Sequence, residues 1–163
     1  MRIGIGYDIH RLSPERKIFL GGSEIPSSLG CIAHSDGDVL IHAVIDALLG
    51  AAALGDIGTH FPPSDQQYKN ISSRKLLEKI HALLAKEGYR IINLDSTIIT
   101  EEPKLKPHIQ HIRRSLASLL ELNIDTVSVK AKTNENCDAV GSKHAIAAQA
   151  AVLIFRNKDF EEH

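Results

Sequence analysis

Tryptophan is absent from this 163-residue chain, methionine occurs once, and aromatic residues make up only 4%. The core must therefore be aliphatic, and 43% hydrophobic residues suffice for one domain of the usual size, about 100 to 150 residues. Residues 1–163 read as a single domain, with no disordered tail beyond the last few residues. Only two cysteines occur, Cys31 and Cys137, far apart in sequence. They are expected to be reduced rather than part of a disulfide framework. No apolar run is long enough for a membrane helix, since residues 145–155 fall well short of the roughly 18 to 20 required. The start MRIGIGYD has no charged, apolar and small-residue succession of a secretory signal. This gives the expectation of a cytoplasmic protein, or one of the plastid stroma if a transit peptide was removed. A net charge of −1 without a Lys/Arg-rich run argues against a nucleic-acid partner. Histidine is the residue in good supply: nine occur, several near acids, and imidazole with carboxylate is common equipment for zinc.

Ile3, Ile5 and Tyr7 alternate in residues 2–8, which predicts an opening strand. A hairpin is expected next, with arms at 17–20 and 23–25 turned by Gly21 and Gly22. Ser35 and Asp38 form an [ST]-x-x-[DE] start for a helix running through Ala53. Its buried stripe is Val39, Leu40, Ala43, Val44, Ala47 and Leu48, while Asp38, His42 and Asp46 line one edge at intervals of four. A second helix spans 73–87 and stops at Gly88, and a strand follows at 91–100. Pro107 suits the first position of a third helix, and 126–132 alternates as a strand. Strand, helix and strand in that order form a crossover that makes the two strands parallel. Residues 145–155 are apolar on both faces, so period alone does not separate strand from helix; we read a strand.

Asp8 and His10, two apart at a strand end, point to the same side and are able to share a metal. His42 would complete three protein ligands and leave a position open, as in catalytic zinc sites. The plainer alternative is an exposed strand end beside a surface histidine. Asp46, one turn beyond His42, is expected either to orient that imidazole or to serve the helix surface. His34 and Ser35 precede a helix N-terminus, where free N–H groups favour phosphate, although Ser35 also fits a simple cap. Turn-rich residues 55–65 suit either a binding loop or a solvated turn. Two further loops present Lys104 within 100–106 and a Thr-x-Glu within 132–135.

Taken together, D-I-H at 8–10, AHSDGD at 33–38, His42, DALLGAAALGDIG at 46–58, FPPSD, the Pro-Lys pair at 103–104 and T-x-E at 133–135 resemble the cyclodiphosphate synthases of the non-mevalonate isoprenoid pathway. The resemblance covers nearly the whole chain. It implies an α+β two-layer sandwich, helices packed on one face of a mixed sheet, assembled as a homotrimer with active sites shared between subunits. It implies zinc at Asp8, His10 and His42, with Asp8 and His10 also facing substrate. His34, Ser35, Asp56, Ile57 and Gly58 would hold phosphate and the methylerythritol hydroxyls, joined by Phe61, Pro62, Pro63, Ser64 and Asp65. Thr100, Pro103, Lys104 and Lys106 would enclose cytosine. Lys132, Thr133 and Glu135 would handle the diphosphate, Glu135 with a second cation, magnesium or manganese. His34 and Thr133 are the implied catalytic groups.

The implied reaction turns a cytidine-diphosphate-linked substrate, 4-diphosphocytidyl-2-C-methyl-D-erythritol 2-phosphate, into a cyclic diphosphate and CMP. A hydrolytic zinc phosphodiesterase and a non-catalytic metal-binding trimer are the rival readings. One stretch departs from the pattern: where many bacterial members have Gly-Phe-x-Gly-Arg-Gly lining a pocket on the trimer axis, this chain has Asp138-Ala139-Val140-Gly141-Ser142-Lys143. Weak or absent isoprenoid diphosphate binding is expected there, unless Lys143 supplies the missing charge.

Overall fold

The computed structural model describes residues 1–14 and 16–156, so the last few residues of the expected single domain lie outside the described range. The opening alternation extends further than its apolar residues suggest, forming β1 (Arg2–Ser13). The hairpin forms where expected, with β2 (Ile18–Leu20) antiparallel to β3 (Ser23–Ile25). Gly21 and Gly22 make the turn at φ 60° and 79°, a region open to residues without a β-carbon. A three-residue strand, β4 (Gly30–Ile32), pairs with the end of β1 and is too short to carry a readable period.

The first helix, α1 (Val39–Ala52), starts later than the Ser35 signature implied. Gly37 at φ 74° breaks helical continuity, and Asp38 is the N-cap, its carboxylate accepting from Ile41 N–H at 3.0 Å. The same buried carboxylate accepts from Gly21 N–H at 3.0 Å and Gly22 N–H at 2.6 Å, tying the hairpin turn to the helix start. All of α1 except Asp46 and Gly50 is buried, as expected of a helix apolar on nearly every side. A short helix, α2 (Ile57–His60), occupies part of the expected loop and is capped by Asp56. Then come α3 (Ser73–Lys86), β5 (Tyr89–Ile99), α4 (Ile109–Leu119) and β6 (Val127–Lys132). Pro107 is not the first residue of α4; a turn closed by His108 N–H to Leu105 C=O intervenes. The chain ends its described part with α5 (Asp138–Gly141) and β7 (Ala145–Arg156).

The five-stranded sheet has the order β4-β1-β7-β5-β6. β5 and β6 are parallel, as the crossover required, and the other pairs are antiparallel. The ambiguous last segment is the central strand, paired at both edges by β1 and β5; Ile146, Ala148, Ala150, Val152 and Ile154 face the helix-covered core, while Ala145 and Ala147 on the other face pack with Val140. Helices α1, α3 and α4 pack on one face, and their aliphatic residues merge with Leu94, Ile98, Ile146, Val152 and Ile154 in one core. Among the described helices, the four-residue α5 lies on the other face, where Val140 meets Ala145, Ala147 and Ile99. The chain is therefore a mixed α+β fold with helices chiefly on one side of its sheet. No helix among the described residues is long and apolar enough to cross a membrane.

Two glycines set the position of α1. A β-carbon on Gly4 would lie 1.9 Å from the Ala47 carbonyl, and one on Gly6 would lie 2.0 Å from that of Ala43. Only bare backbone lets the helix settle this closely on β1. The alternation that marked β1 thus belongs to its outer face: Ile3, Ile5, Tyr7 and Ile9 are 72%, 79%, 52% and 44% exposed. Ile5 and Tyr7 border a shallow cavity of about 560 Å³ shared with Asp95, Thr97 and Gln149.

Candidate active site

Beyond Gly4 and Gly6, the inner face of β1 continues with Asp8 and His10, in register with Ala148 and Ile146 of β7. The close approach of α1 brings His42, one turn into the helix, against both. His42 Nδ1 lies 2.9 Å from Asp8 Oδ2 and 3.1 Å from His10 Nε2, and His10 Nε2 lies 3.0 Å from the same Asp8 oxygen. These residues form the one cluster of three His, Cys, Asp or Glu groups with metal-ligand spacing among the described residues. Burial alone would raise the Asp8 pKa, but hydrogen bonds and charge from His10 and His42 outweigh it and hold the carboxyl far below its ordinary value. For His42, burial favours the neutral ring, yet the Asp8 carboxylate wins and raises its pKa above 6.5.

The donor set fits a divalent cation. A tetrahedral ion with bonds of about 2.0–2.1 Å keeps its ligand atoms about 3.3 Å apart, so these three atoms need to open by only a few tenths of an ångström. Two nitrogens and one carboxylate oxygen leave a fourth position open toward the adjoining pocket of about 240 Å³. That pocket is lined by expected residues, His34, Ser35, Ile57, Gly58, Phe61 and Pro63, by Leu76, read from the sequence as an inward residue of its helix, and by Tyr68 and Ile71, which no sequence signal marked. Phe61 packs edge-on against Tyr68 at 5.2 Å between ring centres, and the Lys79 ammonium lies 5.3 Å from the Tyr68 ring, so this wall is firm.

The other expected residues of this region have structural partners. Asp56 caps α2 through Thr59 N–H at 2.8 Å, and Asp65 caps the following turn through Gln67 N–H at 3.0 Å. Pro62 and Ser64 do not line the pocket. Asp46 does not orient His42: its carboxylate accepts from Ile57 N–H at 2.8 Å, fastening the start of α2 to α1. The ring of His42 is met instead on its Nε2 side by Ser35 Oγ at 3.1 Å and Ser73 Oγ at 3.0 Å. Ser73, the first residue of α3, was not marked by any motif, because its nearness to His42 exists only after folding.

A second pocket, about 170 Å³, opens at the ends of β5 and β6 and gathers Thr100, Pro103, Lys104, Lys106, Lys132 and Thr133. Glu135 does not line it but accepts from the Thr133 hydroxyl. Buried Glu101, another residue without a sequence signal, accepts from Asn134 N–H at 2.8 Å and holds this loop to the strand. Both pockets lie at the same level of the sheet, since Ile9, Ala147, Ile99 and Lys132 stand side by side across it. Three strand spacings separate β1 from β6, about 14 Å. At the divergent stretch, Lys143 Nζ is paired with Glu102 at 2.7 Å, so its charge is already matched.

The fold and its triad define an α+β protein with a site suited to a divalent cation and two pockets at one end of a mixed sheet. The chain belongs to the YgbB family, whose model matches residues 1–155. It is 54% identical over 157 residues to a 2-C-methyl-D-erythritol 2,4-cyclodiphosphate synthase of Clostridium kluyveri, covering 96% of both chains. A solved structure of a 2C-methyl-D-erythritol-2,4-cyclodiphosphate synthase in a CDP-bound form matches with a TM-score of 0.88 and 37% identity, over 94% of this chain and all of that one. A bifunctional IspDF protein from Campylobacter jejuni matches with a TM-score of 0.90 and 37% identity over 94% of this chain; the chain spans 42% of that longer protein.

Proposed function

We propose that the chain is an enzyme that closes 4-diphosphocytidyl-2-C-methyl-D-erythritol 2-phosphate into 2-C-methyl-D-erythritol 2,4-cyclodiphosphate and releases CMP, a phosphorus–oxygen lyase reaction of isoprenoid precursor biosynthesis. The observation that carries this reading is the convergence of Asp8, His10 and His42 on one point beside a pocket lined by His34, Ser35, Ile57 and Gly58. The names of relatives over nearly the full length point the same way.

In this reading the substrate's 2-phosphate attacks the β-phosphorus of its own diphosphate. Two unit charges at about 4 Å repel by about 4 kcal/mol at an effective dielectric near 20. The pockets hold few cations of their own, chiefly Lys104, Lys106 and Lys132, so cations must be added. Asp8, His10 and His42 would hold zinc, and Glu135 would help hold magnesium or manganese. When bound, these ions supply positive charge and Lewis acidity to the reacting diphosphate. The protein then positions the substrate: Ser35 and His34 donate hydrogen bonds to phosphate oxygens, and Ile57 and Gly58 present the start of α2 to the polyol. Phe61, Tyr68 and Leu76 keep water from the reacting end. Thr133 donates to the diphosphate as charge builds on it, and Thr100 to Lys106 enclose the cytosine. No protein nucleophile is needed, because the attacking oxygen belongs to the substrate.

The homotrimer is part of the same proposal. Ile3, Ile5, Tyr7 and Ile9 make an exposed apolar stripe on the sheet face that the long helices leave open, the kind of surface that subunit contact covers. Trimer formation would set the metal pocket of one subunit against the strand-end pocket of its neighbour. A cytoplasmic location, or the plastid stroma after transit-peptide removal, completes the reading. Phosphorus NMR of the substrate incubated with protein, zinc and magnesium tests it: a cyclic diphosphate with equimolar CMP is expected. Solvent oxygen-18 in the product would show hydrolysis by a phosphodiesterase instead, and absence of CMP would leave a metal-binding trimer without this activity.

A further inference from the structure

His42 divides its two ring nitrogens between different tasks. Nδ1 faces Asp8 and His10, and Nε2 faces two hydroxyls, those of Ser73 and Ser35. The Ser73 hydroxyl is not free to choose its role. It donates to Asp36 Oδ1, while Ser73 N–H donates to Asp36 Oδ2 at 2.9 Å. A carboxylate only accepts, so the Ser73 proton is committed to Asp36 and its oxygen has only lone pairs to offer His42. Nε2 must therefore carry a proton in the 3.0 Å contact, so the proton that Nδ1 donates to Asp8 is the one given up when a metal takes the Nδ1 lone pair.

Ser35 is then constrained in turn. Its oxygen accepts from Gly37 N–H at 3.1 Å, and the protonated Nε2 has no lone pair to receive the Ser35 proton. That proton remains available to the pocket that Ser35 lines. We propose that Asp36 and Ser73 form a positioning pair that fixes His42 as the Nε2–H tautomer, reserving Nδ1 for the metal and the Ser35 hydroxyl proton for a phosphate oxygen. This rests on the reading of Asp8, His10 and His42 as zinc ligands. It deepens that reading by assigning roles to two residues outside the triad, one of them completely buried.

The pair also docks α3 beside the helix entrance, helped by Asp36 N–H to Ile71 C=O at 3.1 Å and Asn70 N–H to His34 C=O at 2.8 Å. Docking and positioning separate in Ser73→Ala, which keeps the backbone N–H bond to Asp36 and loses only the hydroxyl. The test measures zinc affinity of the full-length protein by competition with a chromophoric chelator. It adds nitrogen-15 NMR of labelled histidine in the zinc-loaded wild type. Ser73→Ala is expected to weaken zinc binding about 10- to 100-fold with an unchanged circular dichroism spectrum. The wild-type spectrum is expected to show His42 protonated on Nε2. Ser35→Ala should hold zinc as the wild type does and raise KM for the diphosphocytidyl substrate. Wild-type zinc affinity in Ser73→Ala, or an unprotonated Nε2, would overturn the pair while leaving the zinc site standing. A wild-type protein that takes up no zinc would overturn both.

Discussion

The two pockets are built in opposite ways. In the metal pocket the ligands stand on a strand and a helix locked together by backbone contact at Gly4 and Gly6, and His42 is only 8% exposed. In the strand-end pocket the working residues sit at the end of β6 and on the loop after it: Lys132, Thr133 and Glu135 are exposed, and Glu135, Asn136 and Asp138 all have left-handed φ, 50°, 61° and 56°. Left-handed backbone costs roughly 1–2 kcal/mol for an ordinary residue and less for Asn or Asp. The buried Glu101 carboxylate helps hold this loop at Asn134 N–H. One chain can thus assemble the metal pocket from its own packing, whereas the loop pocket is open to whatever covers it, which in our proposal is the next subunit.

The comparison breaks most decisively at His42. His42→Ala should abolish stoichiometric zinc binding and lower CMP release by about 10³-fold, the scale of losing a centre of transition-state charge stabilisation. Lys104→Ala should leave zinc binding intact and act mainly on KM; equal zinc loss in both variants would show that the pockets are not separately built. Mixing those two variants, assayed at substrate concentrations far below the raised KM of Lys104→Ala, is the sharper trial of subunit sharing. If each site draws on two neighbours, random trimers regain about a quarter of wild-type activity, and no recovery would confine each site to one subunit.

Gly4→Ala probes the tight helix contact. Its β-carbon meets the Ala47 carbonyl, so a loss of about 1–3 kcal/mol on overpacking is expected, read as a lower urea midpoint. An unchanged midpoint would deny the contact any importance. The smallest effect concerns pH. In the metal-free protein the raised His42 pKa adds stability that is complete below 6.5 and is lost as pH rises through the higher folded value. Zinc requires an unprotonated Nδ1, so its stabilisation should grow with pH through the same window. Thermal melts with and without zinc would reveal a pH-independent difference if this coupling were absent.

Much of this was legible in the chain because it depends on local rules. The glycine turn at 21–22, the helix carrying His42, the parallel crossover and the two-residue spacing of Asp8 and His10 follow from period and backbone freedom. Features made by tertiary contact were not. Ser35 resembled a cap, but Asp38 takes that role because its carboxylate also binds Gly21 and Gly22 from a distant hairpin. Asp46 occupies the same helix edge as His42, yet the start of α2 captures it. The alternating Ile3, Ile5 and Tyr7 identified the strand correctly and say nothing of which face is buried, since glycine, the least conspicuous residue, marks the inner one. Ser73 and Glu101 lie far in sequence from the groups they contact and carry no motif.

The central claim is that one strand acid and two imidazoles enclose a cation. Crystals of the zinc-loaded protein measured across the zinc absorption edge would locate it through anomalous scattering. The account predicts one strong peak per chain, about 2.0–2.2 Å from Asp8, His10 and His42 together; a peak elsewhere, or none at that point, would contradict it.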